Sequence, residues 1–525
     1  MATAATETLV STGTAGYLKK IAKNAGITAG GQLLSQVLGP ITGIITTRAL
    51  GAELYGIYTL TTYWTSMLAD FSTLGFAGML TRFSASYKGE GRLDKAKGAI
   101  LLSLKIALLV GGLLALSLAL FAEPFCRYII KQPGYAHAFR FVSVAVLLTA
   151  AYSIFLAALN GLQQQGYAVL ANSVASNLMK LVSLVVLLAC GLQLYAALAS
   201  SLLQDLIILV LAGFFLVKVF PGLRDHNLPA TIEKKKLWKF SGTLFATSLF
   251  NKHTFQLDVL FLGLFCQPVE VGLYAVALRL QPLIYMPHVA IMQIFGPIVA
   301  ELHARRQHNE MAKLYKTVTK WTTAFSLPIF LTIVLFYEPI LSIFGKEFHG
   351  AVVALLILGV GNFFADMFGM SGQILTMIGK PGVNLANAVV ITVFSVTLYL
   401  LLIPHKGIVG AAVAYAVTHG VINVVRLFEV RHFLNIHPFK ASLWKVPFAA
   451  GLALLGVLGL RSDWFFMAPP LWFLQLVAFW CVYAAISNAL TRLPSLRACA
   501  RNGMTCSPLP VLKTFTCSTS GSGLG

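Results

Sequence analysis

Charge is scarce in these 525 residues: 11% are Asp, Glu, Lys or Arg, against 57% hydrophobic. A soluble globular domain carries about 25% charged and about 45–50% apolar residues, so a string of soluble domains is excluded. Acidic groups are scarcer still, 18 against 39 Lys and Arg, for a net charge of +21. Long polar stretches are also missing. Between the apolar runs no segment reaches the roughly 50 residues a separate domain needs, which leaves no place for an extramembrane catalytic, nucleotide-binding or receptor domain. No G-x-x-x-x-G-K-[ST] phosphate loop occurs, excluding ATP hydrolysis by that route. The seven cysteines never take C-x-x-C spacing: Cys190, Cys266 and Cys481 lie in or beside apolar runs, and Cys499, Cys506 and Cys517 lie near the end. Neither a disulfide framework nor a metal site is expected. Residues 1–20 lack the basic-then-apolar order of a signal peptide and read as a disordered lead-in.

What remains is a succession of continuous apolar runs. A helix needs about 20 such residues to cross about 30 Å of hydrocarbon, and only helices or closed barrels satisfy their own backbone there. The runs do not alternate, so they read as helices and the chain as an all-α polytopic membrane protein. About fourteen spans fit, near 24–48, 57–80, 98–121, 138–160, 168–191, 194–218, 240–263, 271–298, 319–344, 351–378, 383–403, 408–428, 443–460 and 466–490. With the first residue inside, 28 Lys and Arg fall in inner segments and six in outer ones. That bias places both termini in the cytoplasm, and the high net charge then points to loop orientation rather than to nucleic acid. The residues from 491 to 525, rich in Ser, Thr, Pro and Gly, read as a disordered tail.

The sequence also repeats itself at a spacing of about 215. Gly56-Ile57-Tyr58 returns as Gly272-Leu273-Tyr274, Leu170-Ala171-Asn172 as Leu385-Ala386-Asn387, and Ala196-Ala197-Leu198-Ala199 as Ala411-Ala412-Val413-Ala414. Six spans per copy is an even number, so both copies share one orientation and are related by a pseudo-two-fold axis along the membrane normal. The expected division is a lobe over 21–220, a second over 221–435, two extra spans over 436–490 and the tail. A cleft between lobes that opens to either side follows from that plan.

The stretch Thr47-Arg48-Ala49-Leu50-Gly51-Ala52-Glu53-Leu54-Tyr55-Gly56-Ile57-Tyr58 resembles the R-x-L-G-x-x-x-Y-G-x-Y signature of the oligosaccharide flippases. These are polysaccharide biosynthesis proteins of the multidrug/oligosaccharidyl-lipid/polysaccharide exporter superfamily. Asn160-Gly161 through Gly166 is similar to that family's glycine-bearing turn after the fourth span. The resemblance runs from about residue 20 to residue 435 and fits six plus six plus two helices. It implies translocation of undecaprenyl-diphosphate-linked sugar units from the inner to the outer leaflet of the cell membrane by alternating access, for surface polysaccharides such as O-antigen or exopolysaccharide. A lipid II flippase and a drug exporter of the same superfamily are the alternatives. Implied partners are the lipid-linked oligosaccharide, the bilayer, a polysaccharide polymerase and glycosyltransferases.

Nine charges fall inside the spans, each costing roughly 2.5–3.5 kcal/mol at the bilayer centre on insertion scales, so they must face protein or water. Lys252, with Gln256 on the same face and Asn251 beside it, forms a polar strip suited to a diphosphate, as Lys serves as a point charge to phosphate. Arg279 lies on a span carrying Pro282 and Pro287, whose kinks accompany backbone that lines a cavity. An ion pair with Asp258 is the rival for both. Arg48 reaches either the cleft or the outer headgroups, and Lys105 reaches the inner surface. Lys180 and Asp205 share a depth on adjacent spans, as an ion pair or as a phosphate site beside a cation site. Asp70, Asp205, Asp258 and Asp366 are the candidates for coupling to a proton or sodium ion, the sole cofactor the sequence suggests. No nucleophile or paired-carboxylate motif stands in a sizeable outer loop, so an enzyme such as a polymerase or ligase is disfavoured and a transporter expected.

Overall fold

The computed structural model describes residues 2–225, 227–252 and 257–439, with short pieces at 446–448, 450–451, 476–477 and 479–485. Among the described residues every regular element is helical. The first half of the chain forms α1 (Ala2–Ser72), α2 (Phe76–Gly89), α3 (Leu93–Leu120), the single turn α4 (Ala122–Pro124), α5 (Ala136–Gly161), the short α6 (Gln165–Val169), α7 (Ser176–Ala189) and α8 (Gln193–Val219). The second half forms α9 (Lys234–Lys252), α10 (Leu257–Phe265), α11 (Pro268–Ala304), α12 (His308–Leu335), α13 (Tyr337–Phe344), α14 (Val352–Met367), α15 (Ser371–Met377) and α16 (Pro381–Leu434).

Eight of the described helices are long and apolar enough to cross a bilayer. Two long elements are really pairs of spans. α1 breaks at Gly51 (φ 71°, ψ 177°) and α16 at Gly407 (φ 53°, ψ −133°). Both conformations lie where only glycine is comfortable, and each doubles the chain back. Gly191 (φ 81°) makes the α7–α8 turn. It precedes Gly407 by 216 residues, the spacing of the sequence repeat. The two arms of α1 and the α9–α10 pair occupy the places of the first, second and seventh expected spans. The thirteenth and fourteenth lie mostly outside the described residues, as does the tail. Where a disordered lead-in was expected over residues 1–20, helix α1 already runs from Ala2. The stretch has no proline and several alanines, the best helix formers.

α2, α3, α5 and α8 pack around a core that includes Phe76, Tyr87, Ile100, Ile154 and Leu216. In the second half α11, α12, α14 and α16 pack together. The halves meet mainly through α1 and α11 at the end bearing Gly51, where Leu50, Tyr55 and Leu60 share one core with Val271, Tyr274, Leu341 and Phe348. The closest approach is at the repeated motif itself. A Cβ on Gly56 would overlap the carbonyl oxygen of Pro268, and one on Gly272 would overlap that of Ala52. Ala52 and Pro268 are also 216 apart, so the contact is reciprocal, as a two-fold relation requires.

At the opposite end the segment joining the halves is fastened to the first. Lys97 Nζ donates to the carbonyls of Asp225 (2.6 Å) and Leu228 (3.1 Å), and Tyr87 Oη donates to Glu233 Oε2 (2.9 Å). Lys95 pairs with the same carboxylate. Hydrogen bonds from Lys95 first, then Tyr87, hold Glu233 down to a pKa of about 2. α9 then leans on α2, with Trp238 edge-on to Phe76 (5.0 Å) and the Arg82 guanidinium over Phe240 (4.7 Å). α10 instead packs among α11 and α16.

Candidate substrate cleft

α11 is started by a capping box between Gln267 and Glu270, with Pro268 at its first position, a pairing that satisfies otherwise orphaned backbone N–H groups. Arg279 projects from this helix, eleven residues beyond Pro268 and so about 16 Å below the Gly51 end. Its Nη1 donates to Tyr55 Oη at 2.9 Å. The guanidinium lies across Gly43 of α1, where any Cβ would strike it. Lys180 of α7 is also eleven residues from its turn, at Gly191, and its Nζ lies 5.9 Å from the Tyr58 ring. Tyr58 Oη shares a 3.2 Å hydrogen bond with Ser201, and the Tyr55 and Tyr58 rings are 6.0 Å apart. Two cations from opposite halves thus converge, at mid-depth, on the tyrosine pair of the second α1 arm.

Carboxylates do not neutralise them at contact distance. Asp258, the expected rival partner for Arg279, is fully buried, accepting from Tyr274 Oη (2.7 Å) and the Val259 N–H (2.8 Å). Asp205 accepts from Thr149 Oγ1 at 3.4 Å. Among the described residues neither Arg279 nor Lys180 has an acidic group within 4 Å, so the expected Lys180–Asp205 ion pair does not close. Two cations beside hydroxyl donors can bind a phosphate-like oxyanion through charge-assisted hydrogen bonds.

The remaining expected residues disperse. Arg48 does not stand free for a substrate. Its Nε donates to the Ile343 carbonyl at 2.7 Å and its Nη2 to that of Ser342 at 3.4 Å, at the C-terminal end of α13. A cation is favoured there by the helix dipole, and the contact joins the two halves. Asn251 and Lys252 end α9, but their side chains, and Gln256 altogether, lie outside the described residues. Asp70 is half-buried near the end of α1, and Tyr152 of α5 has both Asp205 and Asp70 as neighbours. Asp366 is fully buried on α14, accepting from Ser326 Oγ (2.7 Å) and lying 3.1 Å from His288 Nδ1.

His288 leads to a feature the sequence reading missed. A chamber of about 710 Å³ opens in the half of the bundle nearer the joining segment. It is lined by α11, α14, α15 and both arms of α16, and Tyr63 of α1 contributes from the first half. Arg426 is part of that lining. Its position near the end of a span made it look like a cytoplasmic loop charge, whereas α16 continues to Leu434. Tyr55 and Tyr58 could have been found, since both stand in the signature motif.

A helical bundle in two repeated halves, joined at one end above a pair of cations unpaired among the described residues, is an architecture suited to a membrane transporter. The chain belongs to the polysaccharide biosynthesis protein family, whose profile matches residues 21–303, while the MatE profile matches residues 244–415. It is 25% identical over 241 residues to a probable low-salt glycan biosynthesis flippase of Haloferax volcanii, covering 46% of this chain and 50% of that one. It is 24% identical over 124 residues to a putative O-antigen transporter of Salmonella typhimurium, covering 24% and 29%. The chain therefore spans half or less of the length of both relatives. Among solved structures, the lipid II flippase MurJ in an inward closed conformation has the same fold, with a TM-score of 0.71, 15% identity, and coverage of 89% of this chain and 98% of that one.

Proposed function

We propose that this flippase moves saccharide units carried on undecaprenyl diphosphate from the cytoplasmic to the outer leaflet of the cell membrane. The observation that carries the reading is the convergence of Arg279 and Lys180, from opposite halves, on Tyr55 and Tyr58 with no carboxylate within 4 Å among the described residues. A diphosphate supplies the missing negative charge. The names of the Haloferax and Salmonella relatives support a glycan cargo. The 28-to-six bias of Lys and Arg supports cytoplasmic termini, which makes the Gly51 end the outer face. The two lobes, 21–220 and 221–435, then rock so that the Gly56–Gly272 contact parts and re-forms. Closed there, the cleft takes up the headgroup from the cytoplasm while the lipid tail stays in the bilayer; opening there releases it.

Asp366 is the preferred coupling carboxylate because it is fully buried on α14 with one oxygen 3.1 Å from His288 Nδ1, with a proton or sodium ion as the driving cation. A polymerase would consume the flipped unit and glycosyltransferases would supply it. A cationic drug, the cargo of the alternative reading, would meet two unneutralised cations in the cleft.

The test is deletion of the gene from its host and rescue. Wild type should restore surface glycan, and Arg279→Ala should not, although it reaches the membrane at normal level. Full rescue by Arg279→Ala overturns the reading. So does restored drug tolerance in a pump-deleted host with no effect on surface glycan.

A further inference from the structure

The 710 Å³ chamber is within the range of roughly 300–1,000 Å³ typical of ligand pockets, but its lining is unusually polar for its place inside a membrane protein. Gln281, Asn362, Gln373, Asn384 and Asn423 bring five carboxamides to it. Gln281 and Asn362 are tied together at 3.0 Å, which orients both. Two stacked pairs, Tyr285 on His288 (4.5 Å between centroids) and Tyr415 on His419 (4.1 Å), present ring faces. Carboxamides offer donors and acceptors in the pattern that sugar hydroxyls match, and ring faces take the C–H face of a pyranose. Acyl chains would leave these groups unpaired, at a cost of about 1–3 kcal/mol each.

The chamber also holds a cation with no ion-pair partner at contact distance among the described residues. Arg426 Nε is buried with no hydrogen-bond partner, and among the described residues no acid lies within 4 Å of the guanidinium. The nearby acids make contacts of their own. Glu429, three residues further on, accepts from Asn387 Nδ2 at 2.7 Å, and Asp366 accepts from Ser326 Oγ with its other oxygen 3.1 Å from His288 Nδ1. Asn384 Oδ1, on the same lining, is likewise buried and unpaired. Arg426 lies on the second arm of α16, about 28 Å along the helix from Gly407. That places it at the cytoplasmic mouth, well before Arg279 and Lys180 on a route across the membrane.

We propose that this chamber is a loading site for the polar head of the cargo: a saccharide unit bearing an oxyanion, with Arg426 as the anion's partner and the carboxamides and stacked rings as the sugar's. The proposal rests on the glycan-flippase reading and adds a second station to it. The oxyanion is either the diphosphate link or the carboxylate of an acidic sugar.

The experiment measures thermal unfolding of the purified full chain in detergent against three probes: sodium pyrophosphate, digalacturonate and the neutral disaccharide cellobiose. A ligand that binds only the folded state raises the midpoint in proportion to its affinity. One of the anionic probes should raise it, with cellobiose at the same concentration doing less. Pyrophosphate identifies the diphosphate as the source, digalacturonate an acidic sugar. Arg426→Gln should weaken the effective probe about ten-fold or more, while Arg279→Ala, which lies in the other station, should leave that part of the response in place. If Arg426→Gln fails to fold, Arg426→Lys decides: it keeps the charge but loses the two-point fork, so weaker binding is expected, and unchanged affinity refutes the site. No response to either anion, or a response that survives Arg426→Gln and vanishes in Arg279→Ala, also overturns it. Because binding is read without transport, an Arg426-dependent response in a protein that flips no glycan would leave the chamber standing and remove only the functional reading.

Discussion

Adding one methyl group at Gly56 should open the transporter outward. At the closed Gly51 end a Cβ there overlaps the backbone oxygen of Pro268, and a Cβ at Gly272 overlaps that of Ala52. Backbone cannot swing aside as a side chain can, so α1 and α11 must part by about 1 Å or more to relieve the overlap, and forced overpacking of this kind costs about 1–3 kcal/mol. Only the outward-closed state bears the cost, because the open state separates these helices. The populations should therefore shift about 5- to 150-fold toward outward-open. Gly56→Ala and Gly272→Ala widen one and the same gap, so the double variant should add little to either alone. Gly112→Ala, on the α3 surface with nothing near its Cβ position, is the control. Spin labels on Cys190 and Cys266, just past the ends of α7 and α10 on the Gly51 side, in a background with the other cysteines replaced by Ser, report the separation of the lobes there. The two cleft glycine variants should enrich the long-distance population and the control should not. Distance distributions identical in all three would refute the claim that this contact closes the outer face.

Three further outcomes follow from the same geometry. Arg48→Ala removes a guanidinium from the α13 carbonyls and should favour outward opening by about 1–3 kcal/mol, seen with the same spin labels; no shift would mean the bond spans nothing that moves. Glu233 is ionised more readily in the fold than when unfolded, with about 2 against 4.5, so its hold on the joining segment is complete above pH 4.5 and fades as the pH falls toward 2. Glu233→Gln should accordingly speed hydrogen exchange at the Thr231 amide, which donates to the Asp94 carbonyl at 3.3 Å, at neutral pH, the gap from wild type closing in acid; a gap that widens in acid contradicts the sign. Asp366→Asn should leave the protein folded but make transport indifferent to an imposed proton or sodium gradient, whereas retained dependence on the gradient would move the coupling role to Asp205, Asp258 or Asp70.

Membrane burial made the architecture readable from sequence, because hydrocarbon forces long unbroken apolar runs. The repeat was legible for a physical reason as well. Gly56 and Gly272 sit where each half meets the other's backbone, and that close approach admits only glycine in both copies of the motif. Side-chain partners were less legible. Depth along the chain placed Lys180 level with Asp205 and Arg279 near Asp258, but depth says nothing of azimuth, and hydroxyls of Tyr55 and Tyr274 took the places assigned to ions. Arg48 misled because a span end offers both headgroups and helix carbonyls. Arg426 was hidden by the assumption that a cation near a span end belongs to the loop.

The account stands on the cationic pair in the cleft, and one reconstitution tests it most directly. Vesicles holding the purified protein and a fluorescent glycan on a polyprenyl diphosphate, probed by an enzyme that attacks only glycan outside, give the flipping rate. Wild type should expose the inner pool, and Arg279→Ala and Lys180→Ala should each slow exposure about ten-fold or more with unchanged reconstitution. Rates in both variants equal to wild type, or a wild-type rate equal to that of protein-free vesicles, would contradict the account.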